Sequence, residues 1–218
     1  MRGKVIVLFA CVSFLSIVSI ANAAGAPATS PAKVDAWDIK ADFAKLNQQF
    51  DAVAEVLNSE KYFNVKNEKV SKWSCGDQAG HIVLAAQMMR GGLQANIDNP
   101  ELNVDGQPNE QGKAVMAGGD FPRGVAQAPE AIRPEGKTRD EFIKLLASEK
   151  KAWNDLEKMS DKLVALKSRS PHPAFGPLSC SDWVRFVAIH SAHHLALVRD
   201  ILKESANTEF GKNLAEAK

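Results

Sequence analysis

The chain has 218 residues, with 27 Lys+Arg against 26 Asp+Glu, a formal net charge of +1 and five histidines. A balance this close leaves no electrostatic footprint for nucleic acid or for an anionic membrane surface. It excludes the function classes that work through a strongly charged face.

The start, MRGKVIVLFACVSFLSIVSIANA, places Arg2 and Lys4 before an apolar run from Val5 to Ile20 and ends on Ala21-Asn22-Ala23. A basic n-region, a hydrophobic h-region and an A-x-A site predict a bacterial-type signal peptide over 1–23, cut after Ala23. The run is short for a bilayer span, which takes about 20 residues, so no stable membrane insertion is expected after cleavage. Cys11 follows Leu8-Phe9-Ala10 in the manner of a lipoprotein box, but apolar sequence continues well past it. The expected location is therefore the periplasm or beyond. Cleavage removes two cations and leaves 25 Lys+Arg against 26 Asp+Glu, a net charge near −1, on 195 residues (218 less 23). That length suits one compact domain with a full core.

Residues 24–36, AGAPATSPAKVDA, are rich in Ala, Pro and Ser and read as a flexible linker. From Trp37 the pattern becomes helical. Ile39, Phe43, Leu46, Phe50, Val53 and Leu57 recur at spacings of 4, 3, 4, 3 and 4, which puts them on one helix face. A second helix is predicted to open at Ser74 with Asp77 three residues on. Its buried side carries Ile82, Ala86, Met89 and Leu93, with His81 at the edge of that side, and it is expected to end near Gly91-Gly92 or a turn later.

Residues 97–136 hold Asn-Pro, Asp-Gly, Gly-Gly and further prolines with no sustained period. So long a link between helices reads as a crossover or a functional lid. The third helix opens on a capping box of Thr138 and Glu141. Its stripe is Phe142, Leu145, Glu149, Ala152, Leu156, Met159, Leu163 and Leu166, interrupted by one acid, Glu149. The turn SPHPAFGPLS stops it, and the fourth helix starts at Ser179 with Asp182 as the capping partner. The fourth stripe is Trp183, Val187, His190, His194, Leu197 and Ile201. The fold class that follows is all-α, a four-helix bundle over 37–206 with a long crossover between its second and third helices, and a C-terminal tail over 207–218.

His190 and His194 are four apart on one helix face, where Cβ atoms lie about 5–6 Å apart, so both rings can turn a nitrogen toward one point and chelate a divalent metal. Two core histidines with ordinary hydrogen-bond partners is the competing reading, and the residues alone leave both open. His193 points off the seam and reads as a flanking residue. Ser191 stands where a His-Glu-x-x-His peptidase carries its glutamate, so that mechanism is unsupported. The Glu-x-x-His pair of the carboxylate di-metal bundles and the Cys-x-x-Cys-His of c-type haem are both absent from the sequence.

KWSCGDQAGHIVLA, RPEGKTRDEFIKLL and HPAFGPLSCSDWVRFVAIHSAHHLALVRDIL together resemble the DinB/YfiT-like superfamily of metal-binding four-helix bundles. The likeness covers most of residues 38–205, and the final block is its specific part. The resemblance implies an up-down-down-up bundle and a single metal ion, zinc or nickel, held by one histidine of the second helix and a His-x-x-x-His pair of the fourth. By motif these are His81, His190 and His194. It further implies a metal-dependent enzyme of the hydrolase or thiol S-transferase type acting on a small molecule not identified by the sequence. Such a metal can lower the pKa of water to about 7 or hold a thiolate nucleophile. An exported chain departs from relatives that use cytosolic thiols. A non-catalytic metal-binding protein and an interaction scaffold are the competing functions, and a homodimer stays open.

Three residues complete the expectations. Glu149, an acid at a core position, is the candidate general base, since burial is costly unless it pairs with the metal site. The competing view rolls it out to solvent. His172 is expected to tie down the turn before the fourth helix. With the second and fourth helices antiparallel, Cys75 and Cys180 fall on opposite sides of the histidine level and roughly 20 Å or more apart, so two free thiols are expected. Each sits at a helix N-terminus, where the dipole could lower its pKa or a small buried cap could result.

Overall fold

The computed structural model describes residues 37–121 and 127–204. The signal peptide and linker expected over 1–36, and the tail over 207–218, lie outside the described residues. The described chain is mostly helical: α1 Ile39–Asn58, α2 Glu60–Phe63, α3 Cys75–Asp98, α4 Glu110–Gly118, α5 Arg139–Glu157, α6 Ser160–Ala165 and α7 Cys180–Glu204. A 3-10 turn, Glu130–Ile132, and an antiparallel pair, β1 Ser170–His172 and β2 Gly176–Leu178, complete it. None of the described helices is long and apolar enough to cross a membrane.

Each long helix starts where the sequence supplies an acceptor for its orphan N–H groups. Asp38 accepts from the Lys40 and Ala41 amides. Ser74 with Asp77, Thr138 with Glu141 and Ser179 with Asp182 each exchange side-chain and backbone hydrogen bonds reciprocally. These are the three capping pairs expected from sequence.

The α1 stripe is buried as its spacing requires, with Phe43, Leu46, Phe50, Val53 and Leu57 fully out of water. Burial of such side chains stabilises by about 1.5–3 kcal/mol apiece before entropy is counted. The α5 stripe needs correcting. Its buried residues are Phe142, Leu146, Glu149, Trp153 and Leu156, so Leu146 and Trp153 take the places expected for Leu145 and Ala152. The helix also breaks at Lys158-Met159, and α6 follows as a separate short element. On α7, Leu195 and Val198 are buried, while the expected Leu197 is only partly so.

Side-chain contacts fix how the long helices meet. Along α3 and α7, Cys75 reaches the Val198 carbonyl and His81 meets His190, and Asn96 donates to the Leu178 carbonyl just before α7 begins. Partners on α7 therefore descend as those on α3 ascend. Between α1 and α7 they ascend together: Trp37 with Asp182, Asp42 with Arg185, Gln49 with the Ala188 carbonyl. Between α1 and α5 they run in opposite order, Asn47 with Glu157 and Asp51 with Lys150. A Cβ added at Gly80 would stand 2.5 Å from the Phe142 ring, and one at Gly92 would stand 2.4 Å from the Trp183 ring. The missing Cβ atoms let α5 and α7 close on α3 at those levels.

Two connections take on detail. The 97–136 link contains α4, capped by Asn109 and burying Val115 and Met116, and it is pinned to α7 where Arg185 donates to the Met116 carbonyl at 2.7 Å. Helix α3 runs past Gly91-Gly92 to Asp98, because Leu93 and Asn96 are buried beyond them. His172 does tie down its turn: its Nδ1 accepts from the Ala174 and Phe175 amides, both at 3.2 Å, and its ring stacks on Phe175. Cys75 and Cys180 are free and fully buried. Cys180 lies beside Asn96, six turns beyond Cys75 on α3, which separates the thiols by roughly 30 Å along the helix.

Candidate metal centre

His81 comes from the second turn of α3, and His190 and His194 from successive turns of α7. One ring nitrogen of each lies within 4.8 Å of the others. The three histidines singled out from the sequence are thus brought together. His81 is 2% exposed, so it lies inside the core and not at the edge of the buried side.

The hydrogen bonds set the tautomers. His81 Nδ1 is 2.7 Å from the Ile132 carbonyl, which can only accept, so Nδ1 carries the proton and Nε2 keeps its lone pair. Gln78 gives its amide N–H to Ser71 Oγ at 2.8 Å. That leaves its Oε1 to accept from His194 Nδ1 at 2.6 Å, and His194 Nε2 is again the free lone pair. His190 differs: its Nε2 is 3.2 Å from His81 Nε2, and its buried Nδ1 has no hydrogen-bond partner.

Burial lowers the pKa of all three rings. The effect is strongest at His190 and His194, where neighbouring imidazoles add a second lowering influence. The rings are therefore neutral near pH 7, as nitrogen ligands must be. Two outward Nδ1–H donors fixed by carbonyl oxygens, and Nε2 atoms aimed at a common point, are the arrangement that orients metal-ligating histidines. The group is compatible with a divalent metal.

Aromatic rings wall the triad. Trp73 lies 4.8 Å from the His81 ring and 6.3 Å from that of His194, and its indole N–H donates to Glu135 at 3.0 Å. On the other flank, Phe121 stands 6.1 Å from His190 and Phe186 6.3 Å. His193 stays off the seam, with its Nδ1 3.0 Å from Asp120.

A family model described as the DinB superfamily matches residues 42–198. The chain belongs to the DinB superfamily. Comparison with curated proteins and with solved structures finds no match. Within this DinB-superfamily chain, the stretch matched contains all three histidines.

Glu149 does not join them. It is fully buried, so the competing view, in which it rolls out to solvent, fails. Both of its oxygens are held by Arg90, at 2.8 and 2.9 Å. Arg90 follows His81 by about two and a half turns, ~13 Å along α3. The cost of burying this acid is offset by a bidentate guanidinium, which removes the ground for assigning it as general base.

The thiols also lose their reactive reading. Burial pushes Cys75 up to about 12 and Cys180 up to about 11, outweighing any help from the helix ends. Sequence reasoning missed Gln78, Trp73 and the Ile132 carbonyl. Gln78 could have been found, since it precedes His81 by one helical turn. Nothing local marks Ile132, which reaches the site only because the crossover folds back onto α3.

Proposed function

We propose that this DinB-superfamily protein is an exported metal-dependent enzyme that binds one divalent ion, zinc or nickel, through His81, His190 and His194. The carrying observation is the convergence of three neutral ring nitrogens within 4.8 Å, two of them oriented by carbonyl oxygens. The bundle is read as up-down-down-up. This is supported by the opposite order of contacts between α3 and α7 and between α1 and α5, and by the shared order between α1 and α7. The reaction is of the hydrolase or thiol S-transferase type, on a small molecule, in the periplasm.

When bound, such an ion supplies Lewis acidity that activates water or a thiol near neutral pH. The chain's own residues hold and orient it. Ile132 and Gln78 fix two of the rings, Ser71 fixes Gln78, and Trp73, Phe121 and Phe186 keep bulk water from the flanks.

Elemental analysis of protein purified from the cell envelope tests the reading, followed by turnover on ester, amide and thiol-acceptor panels with added zinc or nickel. One equivalent of metal, lost in His81→Ala, together with metal-dependent turnover is the expected result. Protein that neither retains nor takes up a divalent ion would refute the metal site. Metal uptake without turnover on any panel would leave a binding protein.

A further inference from the structure

We propose that the metal position selects a small monoanion over an uncharged ligand of the same shape, and that Gln78, as an amide and not a carboxylate, sets this preference. The inference rests on the reading that a divalent ion binds the triad.

All three ligands are neutral, and so, among the described residues, are the groups bonded to their outer nitrogens. His81 leans on the Ile132 peptide carbonyl, His194 on the Gln78 amide oxygen, and His190 Nδ1 on no hydrogen-bond partner. Among the described residues, no carboxylate or thiol joins the three rings as a further ligand. The carboxylates around the centre sit on its rim. Glu135 is bonded to Trp73, and Asp120, beside His193, is 69% exposed. Charges so placed are screened by water and salt. A divalent ion at the triad would keep nearly its whole charge in a pocket walled by aromatic carbon, and an uncompensated buried charge is costly. A monoanion that completes the coordination removes half of that charge, whereas a neutral ligand removes none. The flanking rings of Trp73, Phe121 and Phe186 offer an apolar surface for the body of an organic anion.

Gln78 is where this charge can be changed without changing shape. It is 1% exposed and held at both ends, by Ser71 and by His194. A glutamate there has nearly the same volume and could accept from both the Ser71 hydroxyl and the His194 N–H. It would place one full negative charge behind a ligand ring.

The test uses cobalt(II)-loaded protein, whose visible spectrum reports ligand exchange, titrated with azide, benzoate and benzamide. Benzoate is expected to bind at least tenfold more tightly than benzamide. Gln78→Glu is expected to keep one equivalent of cobalt and to bind azide about tenfold more weakly, because a full negative charge then stands behind a ligand ring and repels the anion. Equal affinity for benzoate and benzamide, unchanged azide affinity in Gln78→Glu, or one equivalent of cobalt that no anion perturbs would each overturn the inference and leave the metal site standing. Failure to bind cobalt at all would remove both. The comparison of benzoate with benzamide needs no variant, so it decides the matter even if Gln78→Glu does not fold.

Discussion

The Nε2 atoms of His81 and His190 face each other at 3.2 Å, while the proton of His81 is committed on its far side to the Ile132 carbonyl. With Nδ1 unpartnered, the His190 ring is free to carry its proton on Nε2 and donate it to His81, or to move it to Nδ1 and leave a second lone pair facing the first. In the second tautomer the contact that closes the core around α3 and α7 offers two ring nitrogens to a cation, and His194 Nε2 offers a third.

Removing a ring should therefore cost metal directly. His81→Ala and His194→Ala are each expected to reduce metal affinity by more than the roughly 10–100-fold typical of outer partners. Gln78→Ala should fall within that range. Competition with a chelator of known affinity measures all three.

Acid should destabilise the metal-free protein in a defined window. Burial lowers the pKa of His81, His190 and His194, and takes His172 down to about 4 from 6.5. Above about pH 6.5 these rings are neutral in both folded and unfolded chains and stability is flat. Below it the unfolded chain takes up protons that the folded chain refuses, so stability falls as pH drops through the folded values. His172 alone contributes on the order of 3 kcal/mol of this loss by about pH 4. Asp42, whose carboxyl burial pushes up, acts in the opposite sense at the acid end. Urea midpoints between pH 8 and 4.5 check the sign, since a midpoint that rises on acidification would contradict it.

The Arg90–Glu149 pair should be asymmetric. Arg90→Met strands a carboxylate with no exposure and is expected to cost about 3–5 kcal/mol. Glu149→Gln leaves a guanidinium that is already 29% exposed and can reach water, and should cost less, about 1–3 kcal/mol. Metal content should not change in either variant. Denaturant titration with parallel metal analysis separates this structural role from a role in the centre.

Gly80→Ala sets a methyl group 2.5 Å from the Phe142 ring, one residue before His81. Overpacking at this level should destabilise by about 1–3 kcal/mol. Because α5 must back away beside a ligand, metal affinity should fall with stability. Thermal unfolding of apo and metal-loaded protein would show a smaller metal-induced rise in Tm than in the wild type.

Both buried thiols should resist alkylation in the native state. Iodoacetamide labelling followed by peptide mass analysis is expected to leave Cys75 and Cys180 unmodified until denaturant is added. Rapid native labelling of Cys75 would contradict its burial and its raised pKa.

The capping pairs, the α1 stripe and the His-x-x-x-His register were legible because each depends on residues within one or two turns of each other. The α5 phase was misread by one position, because Leu145 and Leu146 are equally apolar and only packing against α1 and α3 chooses between them. Helix α4 was missed because nine residues including two glycines carry too little periodicity to stand out from the turns around them.

By itself the sequence determined the helical class and one His-x-x-x-His pair at metal-binding spacing, and the family resemblance added His81 to it. Local propensity and short-range geometry are written residue by residue. Only the tertiary structure decided what stands behind each ring and what neutralises Glu149. The Ile132 carbonyl and the Arg90 guanidinium reach their partners from 51 and 59 positions away in the chain, and the Trp73 indole reaches Glu135 from 62. Contacts of that kind depend on how whole helices seat against one another, which no local pattern encodes.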